Sequence, residues 1–203
     1  VSAFLLNRSS DLSFNASGQL SRIQDGSSEQ TFNYDALVNV SRNVRTFAVP
    51  YSDHAYTFSM EYEYDSWGRM LTMTYPDGEV VTYGYDLGGN LNSMSGMKSG
   101  VPYSYINSVL YDRFGNRSLI EYGNRSNTSY SYDDLQRLTG LRTYAYNNGA
   151  PSLVQDIKYT FNSVGNITDA ANWASAFGTL GGPYTNHYIY DDLDRLTDAS
   201  QSY

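Results

Sequence analysis

Acidic side chains recur in this sequence at spacings that could hold a cation or cleave a sugar bond. Asp191-Asp-Leu-Asp194 puts three carboxylates within one short segment, and Asp86 to Asn90 and Asp112 to Asn116 both read Asp-x-x-Gly-Asn. These are hard oxygen donors of the kind calcium takes, but without the spacing of an EF-hand loop. Asp65 and Asp86 could serve as the paired acids of a glycosidase, a chemistry that needs two carboxyls about 5 to 9.5 Å apart. His54 and His187 lie 133 residues apart, and neither has partners at metal-ligand spacing. No nucleophile elbow, phosphate loop or His-Glu-x-x-His run occurs.

The acids do not stand alone, because each follows an aromatic residue inside a repeated segment. Tyr62-Glu-Tyr-Asp-Ser-Trp-Gly-Arg-Met70 is echoed by the segments at 83–91, 109–117, 130–138, 159–167 and 188–196, with weaker copies at 12–20 and 32–40. The aromatic before Asp or Asn anchors eight motifs at positions 14, 34, 64, 85, 111, 132, 161 and 190, and the intervals between anchors vary from 20 to 30 residues. A fixed motif with variable intervals suits an array whose units pack on their neighbours. We expect residues 1–203 to form one array of about eight repeats with no separate second domain.

Each motif position has a folding role. Aromatics two apart, such as Tyr62 and Tyr64 or Tyr83 and Tyr85, share one face of a strand and can stack into cross-strand ladders. Asp65, Asp86, Asp112, Asp133 and Asp191, or Asn162, then end the strand, since a short acceptor side chain can bond main-chain N–H groups further on. Three residues later Gly18, Gly68, Gly89, Gly115 or Gly165 can supply positive φ. Val38, Gln136 and Asp194 replace that glycine, which predicts either a strained residue or another turn type, with β-branched Val38 the most awkward. The return strand carries two apolar residues three apart, such as Met70 and Met73 or Leu138 and Leu141. Strict alternation therefore requires a bulge, or a first apolar residue still in the turn.

Every interval holds a further turn signal, among them Asp25-Gly26, Pro50, Pro76-Asp-Gly78, Gly100-Val-Pro102, Gly123-Asn124, Asn148-Gly149 and Gly181-Gly182-Pro183. All five prolines are expected in these turns and none in a paired strand. One repeat is then two strands and two turns. The chain should be all-β, a continuous antiparallel meander of about sixteen strands that twists and curves or spirals.

Composition agrees, with 21 Tyr, 8 Phe and 17 Gly among 203 residues. A formal charge of −8, with Lys98 and Lys158 the only lysines, argues against nucleic acid as a partner. No apolar run approaches the roughly 18 residues that span a bilayer, so no membrane insertion is expected. The start, Val1 to Asn7, lacks a signal-peptide pattern and an initiating Met, which reads as a fragment of a longer protein. There is no cysteine, so disulfides and thiolate metal sites are excluded, and no cofactor is called for.

Tyr-Asp-x-x-Gly-(Arg/Asn)-Leu in tandem, with the extended run from Tyr64 to Gly78, resembles the Rhs or YD-repeat family over residues 12–198. That family includes bacterial Rhs and Tc toxin proteins and animal teneurins. The resemblance implies a spiralling sheet that closes into a hollow shell, secreted or at the cell surface, enclosing a toxic polypeptide in bacterial members. The family's Asp-Pro cleavage motif has no counterpart here. The implied partners are the remainder of the same longer chain and a polypeptide cargo. The implied role is architectural, without enzyme activity.

Aromatics outside the motifs leave another reading open. Tyr51, Tyr56, Tyr103, Tyr105, Tyr144, Tyr146 and Trp173 could stack on sugars in a carbohydrate-binding or adhesive module, with Tyr144, Tyr146 and Trp173 the candidate glycan contacts. Their plainer role is to extend the ladders. Seven Asn-x-Ser/Thr triplets, from Asn7 to Asn166, are what an Asn- and Ser-rich chain yields by chance.

Overall fold

Alternating aromatics, Thr and Val build strands throughout the chain, and the polar Asp, Asn and Gly clusters end them. The computed structural model describes residues 11–49, 54–147, 149–176 and 181–202; Asn7, Pro50, Tyr51 and Asn148 lie outside them. Among the described residues there are sixteen strands and no helix, the strands hydrogen-bonded in chain order from β1 to β16 with no crossover. The all-β meander expected from the repeat is the observed fold.

Two compact units divide the chain, Val1–Gly84 with Met94–Tyr103, and Tyr85–Ser93 with Ser104–Tyr203. The first contains β1 (Asp11–Phe14), β2 (Leu20–Gln24), β3 (Ser28–Tyr34), β4 (Val40–Ala48), β5 (Ala55–Tyr64), β6 (Met70–Thr74) and nearly all of β7 (Val80–Tyr85). Strands β8 (Leu91–Lys98) and β9 (Val101–Tyr111) are shared between the units. The second unit continues with β10 (Arg117–Tyr122), β11 (Asn127–Tyr132), β12 (Leu138–Asn147), β13 (Ala150–Phe161), β14 (Ile167–Asn172), β15 (Tyr184–Tyr190) and β16 (Leu196–Ser202).

The apolar content does not gather into a thick core. Among the described residues the buried apolar side chains are Val81, Val109, Ile120, Ala171 and Ala174. Val109 and Ile120 face each other across β9 and β10. A fully buried Val or Ile contributes only about 1.5 to 3 kcal/mol, so the sheet must draw heavily on its ladders and turns. Threonine pairs add to the ladders, with hydroxyls 3.0 Å apart at Thr46 and Thr57 and 2.9 Å at Thr128 and Thr143.

Proline placement departs from expectation. Pro102 and Pro151 are the second residues of β9 and β13, inside strands. The turn before β9 is Ser99-Gly100, both at positive φ (51° and 78°), so Pro102 follows a two-residue hairpin loop and sits where a strand has just begun. Gly123 also differs, because its φ is not positive. It is needed for close approach: a Cβ there would stand 1.7 Å from the Ser104 carbonyl oxygen. Arg125 takes the left-handed position in that turn instead, at φ 70°.

Candidate functional site

The repeated tyrosine-aspartate turn is where the sequence concentrates its chemistry. At the third motif, the Asp65 N–H donates to the Arg69 carbonyl at 2.9 Å, and the Gly68 N–H donates to the Asp65 carbonyl at 3.0 Å. One carboxylate oxygen of Asp65 accepts the main-chain N–H groups of Trp67 and Arg69 at 2.9 and 3.0 Å. The other accepts the Arg69 Nε at 2.7 Å.

The same set of bonds recurs. Asp112 accepts from the N–H groups of Phe114 and Asn116, Asp133 from Leu135 and Arg137, and Asp191 from Leu193 and Arg195. Asn162 does so through its amide oxygen toward Val164 and Asn166. Asp86 accepts the N–H and side-chain amide of Asn90. The Arg or Asn after the glycine position is thus part of the site: Arg137 and Arg195 reach the second oxygen through Nε at 2.7 Å, and Asn116 through Nδ2 at 3.2 Å. The Arg/Asn alternation is visible in the sequence, but its role is not. The signal was that both residues carry a side-chain N–H donor.

These bonds hold the carboxyls below their ordinary range. The leading cause is the Asn90 main-chain N–H for Asp86, the Arg137 main-chain N–H for Asp133, and the Arg195 side chain for Asp191. For Asp65 and Asp112 the largest single effect is partial desolvation, which raises the pKa. Hydrogen bonds from Arg69 and Trp67, and from Asn116 and Phe114, together outweigh it.

All eight turns place their fourth residue at positive φ, including Gly68 (75°), Gly89 (85°), Gly115 (85°) and Gly165 (101°). Val38 (71°), Gln136 (62°) and Asp194 (59°) adopt the same conformation, so the glycine-free turns are strained copies and not another turn type. Two of the three have a partner in the preceding turn. Asn116 Nδ2 donates to Gln136 Oε1 at 2.7 Å, and Asn166 Nδ2 donates to Asp194 Oδ1 at 2.8 Å. Val38 has no polar atom with which to accept such a bond.

The return strand leaves its turn through a bulge. Tyr64 faces Met70, but Glu63 faces Thr72 and Tyr62 faces Met73, so Leu71 is the extra residue. Thr139, Thr168 and Thr197 hold the same place in β12, β14 and β16. One extra residue lets both apolar positions, three apart, share a face with the two aromatics. Beside the bulge the anchor tyrosines link neighbouring repeats. Tyr111 Oη donates to the Leu91 carbonyl at 2.8 Å, Tyr132 Oη to Arg117 at 3.0 Å and Tyr190 Oη to Ile167 at 3.0 Å. Phe161, lacking the hydroxyl, instead lies under the Arg137 guanidinium at 4.5 Å. Tyr83 and Tyr85 are half-buried in β7.

The remaining candidates are dispersed. Tyr144 is half-buried in β12, Tyr146 is exposed near its end, and Trp173 is exposed just after β14. His187 faces Asp169 across β14 and β15, with Nδ1 2.6 Å from the carboxylate. Asp65 and Asp86 each serve their own turn, and among the described residues no three His, Asp or Glu side chains gather at metal-binding range.

This geometry has relatives. The RHS Repeat family model matches residues 64–96, which span the third and fourth motifs. Toxin subunit YenC1 of Yersinia entomophaga is 33% identical over 143 residues, 67% of this chain. The chain belongs to the Rhs, or YD-repeat, family. The match covers 15% of the length of YenC1, so the chain spans only part of that relative. The fold is also that of solved structures: the TcdB2-TccC3 crystal structure superposes with a TM-score of 0.78 at 23% identity, covering 94% of this chain and 10% of that one. The Photorhabdus luminescens Tc holotoxin pore gives the same TM-score at 24% identity, with the same coverage of both chains.

Proposed function

We propose that this Rhs chain is a non-catalytic section of wall in a secreted bacterial shell protein, where it helps enclose a polypeptide cargo. One observation carries the reading. The motif carboxylates, the feature most like reactive groups, are engaged in folding: Asp112 accepts two main-chain N–H groups and the Asn116 amide. A residue so engaged builds structure. Its 33%-identical relative being a toxin subunit supports the cargo. The partners are then the rest of a longer chain, meeting the outer edges of β1 and β16, the terminal strands among the described residues, and the enclosed polypeptide.

Protease protection in the full-length protein tests this. The enclosed polypeptide should resist protease at concentrations that digest it when it is expressed alone, and Asp112→Ala combined with Asp133→Ala should remove the protection. Equal digestion inside and outside the full-length protein would refute enclosure.

A glycan-binding surface is the second reading, favoured by the exposure of Tyr146 (45%) and Trp173 (62%). Specific glycan-array binding that is lost with Trp173→Ala, in a protein that stays folded, would support it. The absence of binding would leave the wall.

A further inference from the structure

In the second unit, β10 and β11 have six residues each, while the strands beside them, β9 and β12, have 11 and 10. The last pair of β9 with β10 is Ile106 and Tyr122, and that of β11 with β12 is Asn127 and Tyr144. Ser104 and Tyr105 on one side, and Ala145 and Tyr146 on the other, therefore run past the turn that joins Tyr122 to Ser126. The short hairpin leaves a notch. Its walls stand three strand spacings apart, about 14 Å. In it lies an open hollow of about 390 Å³, whose lining includes Asn107, Glu121, Arg125, Asn127 and Tyr146.

Arg125 is the residue that folding does not explain. Its φ is 70°, and its main-chain N–H donates to the Tyr122 carbonyl at 3.0 Å. The turn from Tyr75 to Glu79 makes the same two main-chain bonds, and there the position belongs to Gly78 at φ 82°. Glycine adopts this conformation without strain, so arginine is kept here against local preference. No structural contact offsets that strain, because the Arg125 guanidinium joins no ion pair or ring contact among the described residues. A strained residue with an unused side chain, at the edge of a hollow, points to a ligand.

We propose that the notch is a saccharide site, which takes a neutral pyranose unit with Tyr146 against the face of the sugar ring and Arg125, Asn127, Asn107 and Glu121 bonded to its hydroxyls. The proposal rests on the glycan-binding reading above and gives that reading a place. Charge selects a neutral ligand, because Arg125 and Glu121 cancel and leave no net charge to draw in an ion. Hydrogen-bonding capacity selects a polyol. Asn107 donates its Nδ2 to the Tyr122 carbonyl at 3.1 Å and keeps its amide oxygen as an acceptor. Glu121 accepts the Ser108 hydroxyl on one oxygen at 2.7 Å and keeps the other. Arg125 can only donate, and Asn127 can do both. Each sugar hydroxyl donates and accepts, so it uses the whole set, whereas a phosphate or carboxylate would use the donors alone. Tyr146 is exposed and supplies the apolar ring that such sites need beside their polar groups.

Binding of the full-length protein to an array of immobilised neutral, uronate-bearing and sulfated oligosaccharides tests the proposal. Neutral members should bind, with little loss in raised salt, and Tyr146→Ala and Arg125→Gly should each weaken binding about tenfold or more. Arg125→Gly relieves backbone strain, so its melting temperature should be no lower than that of the wild type, which separates lost binding from lost folding. Binding confined to the uronate or sulfate members, or an Arg125→Gly protein that binds like the wild type, would overturn the site. Binding lost with Trp173→Ala but untouched by Tyr146→Ala and Arg125→Gly would keep the glycan reading and overturn this site, and binding to no member would overturn both.

Discussion

The hydroxyl of Tyr190 donates to the carbonyl of Ile167 at 3.0 Å, joining the eighth motif to the first residue of the seventh motif's return strand. The bond spans 23 residues of sequence and lands beside the bulge that Thr168 creates. Tyr132 makes the equivalent bond to Arg117, and Tyr34 to Leu20 at 2.7 Å. The motif tyrosine therefore has two functions, a ring for the ladder and a hydroxyl for the neighbouring repeat. Tyr190→Phe keeps the ring and removes the bond, so it should lower unfolding free energy by about 0.5 to 1.5 kcal/mol in urea titrations.

Aspartate substitutions should rank by how many acceptor functions survive. Asp112→Asn keeps the oxygen that receives the Phe114 and Asn116 N–H groups, as Asn162 does naturally in its own turn. Asp112→Ala loses every bond. The urea midpoint should fall further for alanine than for asparagine, and the reverse order would contradict the turn role.

Glycine should help at one strained turn and not at another. Val38 sits at φ 71° with no side-chain hydrogen bond to offset the strain, and a left-handed L-residue costs about 1 to 2 kcal/mol. Val38→Gly should stabilise by about 1 kcal/mol after the entropy that glycine adds to the unfolded chain. Asp194→Gly relieves similar strain but removes the acceptor of Asn166, leaving little net change. Equal effects at both sites in thermal melts would show that the bond to Asn166 contributes nothing.

Acid should unfold the chain. Asp35, Asp65, Asp86, Asp112, Asp133 and Asp191 all have carboxyls lowered in the folded state. A lowered folded pKa stabilises fully above the unfolded value, near 3.9, and that stability is lost as pH falls through the folded one. Melting temperature should therefore hold between about pH 7 and 5 and fall below about pH 4. A flat profile to lower pH would show that these carboxyls do not matter to folding.

Strands and turns were legible in the sequence because their determinants are local: aromatics two apart, an acceptor that ends the strand, and a glycine three residues on. Contacts between repeats were not. The Tyr190 hydroxyl finds Ile167 only once the register is set, and the bond from Asn116 that accompanies strained Gln136 comes from 20 residues away. Arg69 and Asn116 were visible as an alternation, but their shared task needed the position of the second carboxylate oxygen. Pro102 and Pro151 were misplaced because a two-residue loop brings the strand start closer to the turn than the proline rule assumes.

Cryo-electron microscopy of the full-length protein addresses the wall directly. Residues 11–202 should trace as consecutive strands in a closed wall, with one face lining an interior that contains polypeptide density. The same strands standing apart as an open arm, with solvent on both faces, would contradict the account.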